Sequence, residues 1–162
     1  MTAKYFVDTN VLVYAVAEDE KLKRTRAREV LSDCVEKGSA VISSQILQEF
    51  YSVSTNKMGL DALHARDLTQ RWTSMETVSM GPADVLAAID VSILNCLSIW
   101  DSLVVTAAAK SNCEVLLTED LNHGQVINGV RIENPFRDIG KPPKRATRER
   151  RARYRTTHRK KK

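Results

Sequence analysis

This chain has little of what secreted, zinc-stapled or membrane-spanning proteins are built from. Its three cysteines, Cys34, Cys96 and Cys113, are odd in number and widely spaced, with no CxxC pair. That excludes a disulfide framework and a cysteine-based structural zinc as organising devices. His64 and His123 stand far apart with no partner at ligand spacing, so both read as structural or surface residues. No apolar run approaches the roughly 20 residues needed to cross a bilayer. The first apolar stretch breaks at Asp8 almost at once, so a secretory leader is not expected. There is no internal repeat. These absences leave a reduced, cytoplasmic setting with no membrane partner as the expectation.

What is present is a 162-residue chain with 43% hydrophobic and 28% charged residues. That is one domain's length, with enough chain to bury a core. The net charge of +5 conceals an asymmetry. From Lys141 to Lys162 there are twelve Lys/Arg and one acid, Glu149, leaving thirteen basic against nineteen acidic residues in the body. An acidic body joined to a very basic tail points to a polyanionic partner such as nucleic acid.

Short apolar segments alternate with helical patterns. Tyr5–Val7, Ala40–Ser43, Thr77–Met80, Glu114–Thr118 and a stretch around Val130–Ile132 read as strands. Between them, helices are expected over Leu22–Lys37, from a Ser43 or Ser44 cap to near Gly59, over Leu60–Met75, along Leu86, Ile89, Ile93 and Leu97, and over Asp101–Lys110. Such alternation predicts α/β architecture with a mainly parallel sheet covered on both faces.

Two of these strands run straight into acids: Val7 into Asp8, and the segment ending at Leu117 into the pair Glu119 and Asp120. Ligands in open α/β sheets gather beyond the carboxyl ends of strands, which makes these acids candidates for one site. Glu49, on an otherwise apolar helix, and Asp101, at a helix start, are two further candidates. Converging carboxylates repel one another and persist only by taking up protons or cations. An all-oxygen set without His or Cys suits Mg²⁺ or Mn²⁺. Each acid also has a plainer use, since Asp8 and Asp101 are good helix caps and Glu119-Asp120 an ordinary polar turn.

"FVDTNVLVY", "SSQILQEF", "IWDSLVVTAAA" and "LLTEDLNHG", followed by "NPF", occur in the order found in PIN-domain nucleases. The chain resembles the VapC-like toxins of type II toxin–antitoxin systems over roughly residues 4–136. The resemblance implies a three-layer α/β/α PIN-like fold with a mainly parallel central sheet and Mg²⁺- or Mn²⁺-dependent endoribonuclease activity. It makes Asp8, Glu49, Asp101 and Asp120 the metal-binding, catalytic acids, with Asp120 preferred to Glu119 by the Thr-x-Asp pattern at Thr118-Glu119-Asp120. Asn10, Thr118 and Glu119 would stand behind the ligands and orient them. An RNA substrate, a cognate antitoxin protein and a homodimer are the implied partners. A PIN ribonuclease of RNA processing or decay, or a catalytically silent PIN-fold RNA-binding module, remain alternatives. A HAD-like phosphohydrolase also begins with a strand and an Asp, but needs an acid where this chain has Asn10.

The expected organisation is a PIN domain over 1–138 and a disordered basic tail over 139–162. Lys144, Arg145, Arg148, Arg150, Arg151, Arg153 and Arg155 would make that tail a nonspecific RNA tether, each neutralised phosphate adding salt-dependent affinity. An extension without a part in activity is the other reading.

Overall fold

A computed structural model describes residues 3–141. The seven basic tail positions from Lys144 to Arg155 lie outside the described residues. Twelve elements follow in order: β1 (Tyr5–Val7), α1 (Thr9–Val16), α2 (Lys21–Glu36), β2 (Ala40–Ser43), α3 (Ser44–Asn56), α4 (Ala62–Trp72), β3 (Glu76–Val78), α5 (Pro82–Asn95), α6 (Ile99–Lys110), β4 (Val115–Leu117), β5 (Val126–Ile127) and β6 (Val130–Glu133).

The strands form one six-stranded sheet in the order β3-β2-β1-β4-β6-β5. All neighbours are parallel except β5 and β6. Strands buried on both faces need continuous apolar runs, and the middle of the sheet has them: Phe6, Val7, Val41, Ile42, Leu116 and Leu117 are buried. The edge strand β3 is largely exposed, and β6 alternates between buried and exposed residues. From β1 the chain steps outward to β2 and β3, then returns to lay β4 on the other side of β1. With right-handed crossovers, α1–α4 cover one face and α5–α6 the other. The α/β/α layering agrees with the sequence. Among the described residues no single helix is long and apolar enough to cross a membrane.

Three local expectations need correction. The helix expected from Leu60 begins only at Ala62, because Gly59 turns with φ +67° and the Asp61 carboxylate accepts the Leu63 and His64 amides as a cap. The helix marked by Leu86, Ile89, Ile93 and Leu97 stops at Asn95, where Cys96 takes a left-handed conformation. That helix also turns the other way: Ala88 and Val91 are buried, while Leu86, Ile89 and Ile93 are exposed. Its small residues let α5 approach α6 closely, and its large ones face outward. Finally, β5 is an addition. Asn128 and Gly129, at φ +50° and +81°, form the two-residue turn that folds it back on β6.

Candidate active site

Register places the candidate acids. β1 and β4 pair in parallel with Val7 opposite Leu117, so the next residues, Asp8 and Thr118, leave the sheet side by side. This is also where the strand order reverses, the position at which open α/β sheets hold their ligands. The Asp8 amide donates to the Leu117 carbonyl at 3.1 Å, extending the ladder by one bond.

Asp8 is 8% exposed and does two jobs. Its Oδ1 accepts the Thr9 amide at 2.7 Å, capping α1, while Oδ2 accepts the Thr118 hydroxyl at 2.6 Å and the Asn10 amide at 3.1 Å. Asn10 Nδ2 also lies 3.1 Å from Thr118 Oγ1 and 3.0 Å from Asp120 Oδ2, so one amide joins the two acids. Thr118 in turn accepts the Asp120 backbone N–H at 3.1 Å, which fixes the turn that presents Asp120. Asn10, Thr118 and Asp120 thus converge on Asp8.

Glu49 approaches from α3. Its Oε2 accepts the Thr9 hydroxyl and its Oε1 the Gln45 amide, both at 2.8 Å. Asp101 stands apart from these contacts. In the first turn of α6 its Oδ2 accepts the Ser98 hydroxyl at 2.6 Å, while that oxygen accepts the Asp101 amide at 3.1 Å. Glu119 turns away from Asp8 altogether. It accepts the Tyr14 hydroxyl at 2.5 Å and Lys23 Nζ at 2.8 Å. Thr9, Gln45, Tyr14, Lys23 and Ser98 were not legible as site residues. For Lys23 the sequence offers no signal, whereas Gln45 and Tyr14 stand four residues from Glu49 and Asn10 on the same helices.

The electrostatics follow. Burial, reinforced by the negative charges of Asp120 and Glu49, pushes the Asp8 carboxyl up to about 6, against the hydrogen bonds from Thr118 and Thr9. Burial would lower the Lys23 ammonium, but Glu119 and Tyr14 outweigh it and hold Lys23 above its ordinary value.

These residues fit a hard divalent cation. Asp8 and Asp120 offer oxygen ligands, and the buried Oδ1 of Asn10, whose amide nitrogen bridges them, has no hydrogen-bond partner. Among the described residues no three His, Cys, Asp or Glu side chains gather closely enough to enclose an ion. Mg²⁺ does not require that, since it keeps several waters and takes one or two carboxylates plus substrate phosphate. A cavity of about 1070 Å³, lined by Arg26, Asp33, Cys34, His123, Glu133 and Ile139 among others, includes none of the four acids.

The family model for the PIN domain matches residues 5–127. No curated protein matches the sequence. Among solved structures, the DNA-bound VapBC of Salmonella typhimurium is similar at 16% identity and TM-score 0.61, covering 83% of this chain and 99% of that one. A toxin–antitoxin complex from Klebsiella pneumoniae gives 16%, 0.62, 83% and 98% in the same measures. VapC20 of Mycobacterium tuberculosis, a sarcin–ricin loop cleaving toxin, gives 14%, 0.58, 72% and 92%.

Proposed function

This chain belongs to the PIN-domain family, and on that premise we propose that it is a metal-dependent endoribonuclease, the toxin of a type II toxin–antitoxin pair. The observation that carries the reading is the buried Asp8 carboxylate at the end of β1, tied through one Asn10 amide to Asp120. Two acids at the ends of β1 and β4, joined through one amide, support a cation site there. The similar fold of a toxin that cleaves the sarcin–ricin loop supports RNA as the substrate.

Asp8 and Asp120 would hold Mg²⁺ or Mn²⁺, with Glu49 and Asp101 completing the acidic set from α3 and α6. Such an ion, when bound, supplies polarisation of the phosphodiester and a more acidic water. The chain's own residues arrange the rest. Thr118 and Asn10 orient the Asp8 and Asp120 oxygens, and Thr9 and Gln45 fix the Glu49 carboxylate. An in-line water attack would leave 5′-phosphate and 3′-hydroxyl ends.

The PIN domain spans 1–138 in this reading, and the basic segment 139–162 tethers RNA. The protein acts in the cytoplasm. The outward face of α5, where Leu86, Ile93 and Leu94 are 65%, 71% and 81% exposed, pairs with a second copy in a homodimer, since monomers rarely leave such surface uncovered. An antitoxin is the second partner, as in the toxin–antitoxin complexes of similar fold.

The test is cleavage of a labelled mixed RNA pool, with and without Mg²⁺ or Mn²⁺, beside Asp8→Ala and Asp101→Ala. The expected result is metal-dependent cuts with 5′-phosphate ends, lost in both variants. Metal-independent cutting, or RNA binding without cutting under either metal, rejects the reading.

A further inference from the structure

A lysine is held one turn of α1 away from the acidic site, and the reaction proposed above gives it no part. Lys23, in the first turn of α2, donates from Nζ to Glu119 Oε2 and to the Tyr14 hydroxyl, each at 2.8 Å. Its ammonium lies 4.2 Å from the Tyr14 ring centroid and 5.7 Å from that of Phe136, within cation–π reach of both. The two rings meet edge to face at 5.0 Å. The side chain is 29% exposed, and a third N–H finds no protein acceptor among the described residues.

Its position follows from α1. Asn10 and Tyr14 are four residues apart and share a helix face, about 6 Å along the axis. Asn10 touches Asp8 and Asp120, while Tyr14 carries Glu119 and Lys23. Along the turn 118–120 the side chains alternate in the same way. Thr118 and Asp120 face Asn10, and Glu119, between them, faces Lys23. A strand whose scissile phosphate lies against Asp8 and Asp120 therefore brings its next phosphate toward Lys23. An acidic site must meet a polyanion, and a fixed cation one helical turn away offsets part of the repulsion.

We infer that Lys23 binds the RNA phosphate adjacent to the scissile one, and that Glu119 holds the ammonium in place until RNA arrives. This rests on the ribonuclease reading and deepens it. The Glu119 carboxylate stands where the phosphate would bind Lys23, so RNA entry would exchange one anionic partner of Lys23 for another. The cation stays paired in both states.

A staple that merely joins α1, α2 and the 118–120 turn would explain the same contacts, so the test needs readouts that a staple does not move. The parent protein, Lys23→Gln, Lys23→Arg and Glu119→Gln are compared for cleavage kinetics and for RNA affinity across salt concentrations. Loss of the phosphate contact in Lys23→Gln raises KM roughly tenfold, with the larger part of the effect in KM and not kcat. It also lowers the slope of log affinity against log salt by about 0.7. Lys23→Arg keeps the slope. Glu119→Gln, which frees the ammonium, tightens RNA binding.

An unchanged salt slope in Lys23→Gln, or weaker binding in Glu119→Gln, overturns the inference while leaving the nuclease reading standing. A parent protein that neither cleaves nor binds RNA overturns both.

Discussion

The acids of this site come from two kinds of ground. Asp8 and Asp120 follow strands, and the pairing of β1 with β4 sets where they leave the sheet. Glu49 and Asp101 ride on helices and are held there by side chains, Gln45 and Thr9 for one and Ser98 for the other. The strand-borne pair shares an amide, whereas the Asp101 carboxylate accepts the hydroxyl of Ser98, the residue that caps its helix. The difference teaches what a sheet can do that a helix cannot. Backbone register fixes two strand ends before any ligand binds, while a helix-borne acid depends on rotamers of its neighbours. In the proposed enzyme the strand-end half is the preformed part, and Asp101 is held separately, by Ser98.

Three experiments sharpen or break this contrast. The largest effect is on stability and concerns Asp8. Its carboxyl stands at about 6 in the fold against an ordinary 3.8, so below about pH 4 both folded and unfolded states hold the proton. Between about 4 and 6 the unfolded state releases it first, and stability falls as pH rises. Above 6 the whole penalty is present, up to about 3 kcal/mol. Metal-free protein should therefore lose stability from pH 4 to 7 relative to Asp8→Asn in paired denaturant titrations. Adding Mg²⁺ or Mn²⁺ at pH 7 should recover that loss. Equal pH profiles for the two proteins would show that the carboxyl is not strained by burial.

Next in size is Asn10→Ala, which cuts the amide between Asp8 and Asp120. Partners behind metal ligands are typically worth about 10- to 100-fold in metal affinity or activity, and a loss in that range is expected in a Mn²⁺ titration of cleavage. A loss under twofold would mean that register alone sets the pair.

The smallest effect belongs to the helix-borne half. Ser98→Ala removes a cap and should cost about 1 kcal/mol of stability, measurable as a lowered denaturation midpoint. Because it also frees Asp101, cleavage at saturating metal should hold or rise. A fall in activity as large as that of Asn10→Ala would show that Ser98 orients Asp101 for its role, and the contrast would collapse.

The sequence makes these two grounds legible to different degrees. "YFV" and "VLL" announce buried strands through unbroken apolar runs, so the emergence of Asp8 beside Thr118 could be anticipated. The Thr9 hydrogen bond to Glu49 could not, because it joins two helices 40 residues apart through a rotamer that no local spacing encodes. The outward face of α5 was misread for another reason. Apolar periodicity marks a stripe, but close helix packing favours small residues, and here Ala88 is buried while the larger Leu86 and Ile93 are exposed. Asn128-Gly129 is a hairpin signal, but the strand before it has only two residues, too few to show an alternating pattern.

The Thr118 hydroxyl reaches Asp8 across a sequence separation of 110 residues. On the ribosome, at about 5–20 residues per second, that separation amounts to roughly 5–20 s of synthesis. Until β4 is made β1 has at most β2 beside it, and Asp8 is without its hydroxyl partner. The strand-end pair therefore comes into being only when nearly the whole body has been made. In the proposed enzyme, a nascent chain would carry only the Asp8 half of the strand-end pair until that point.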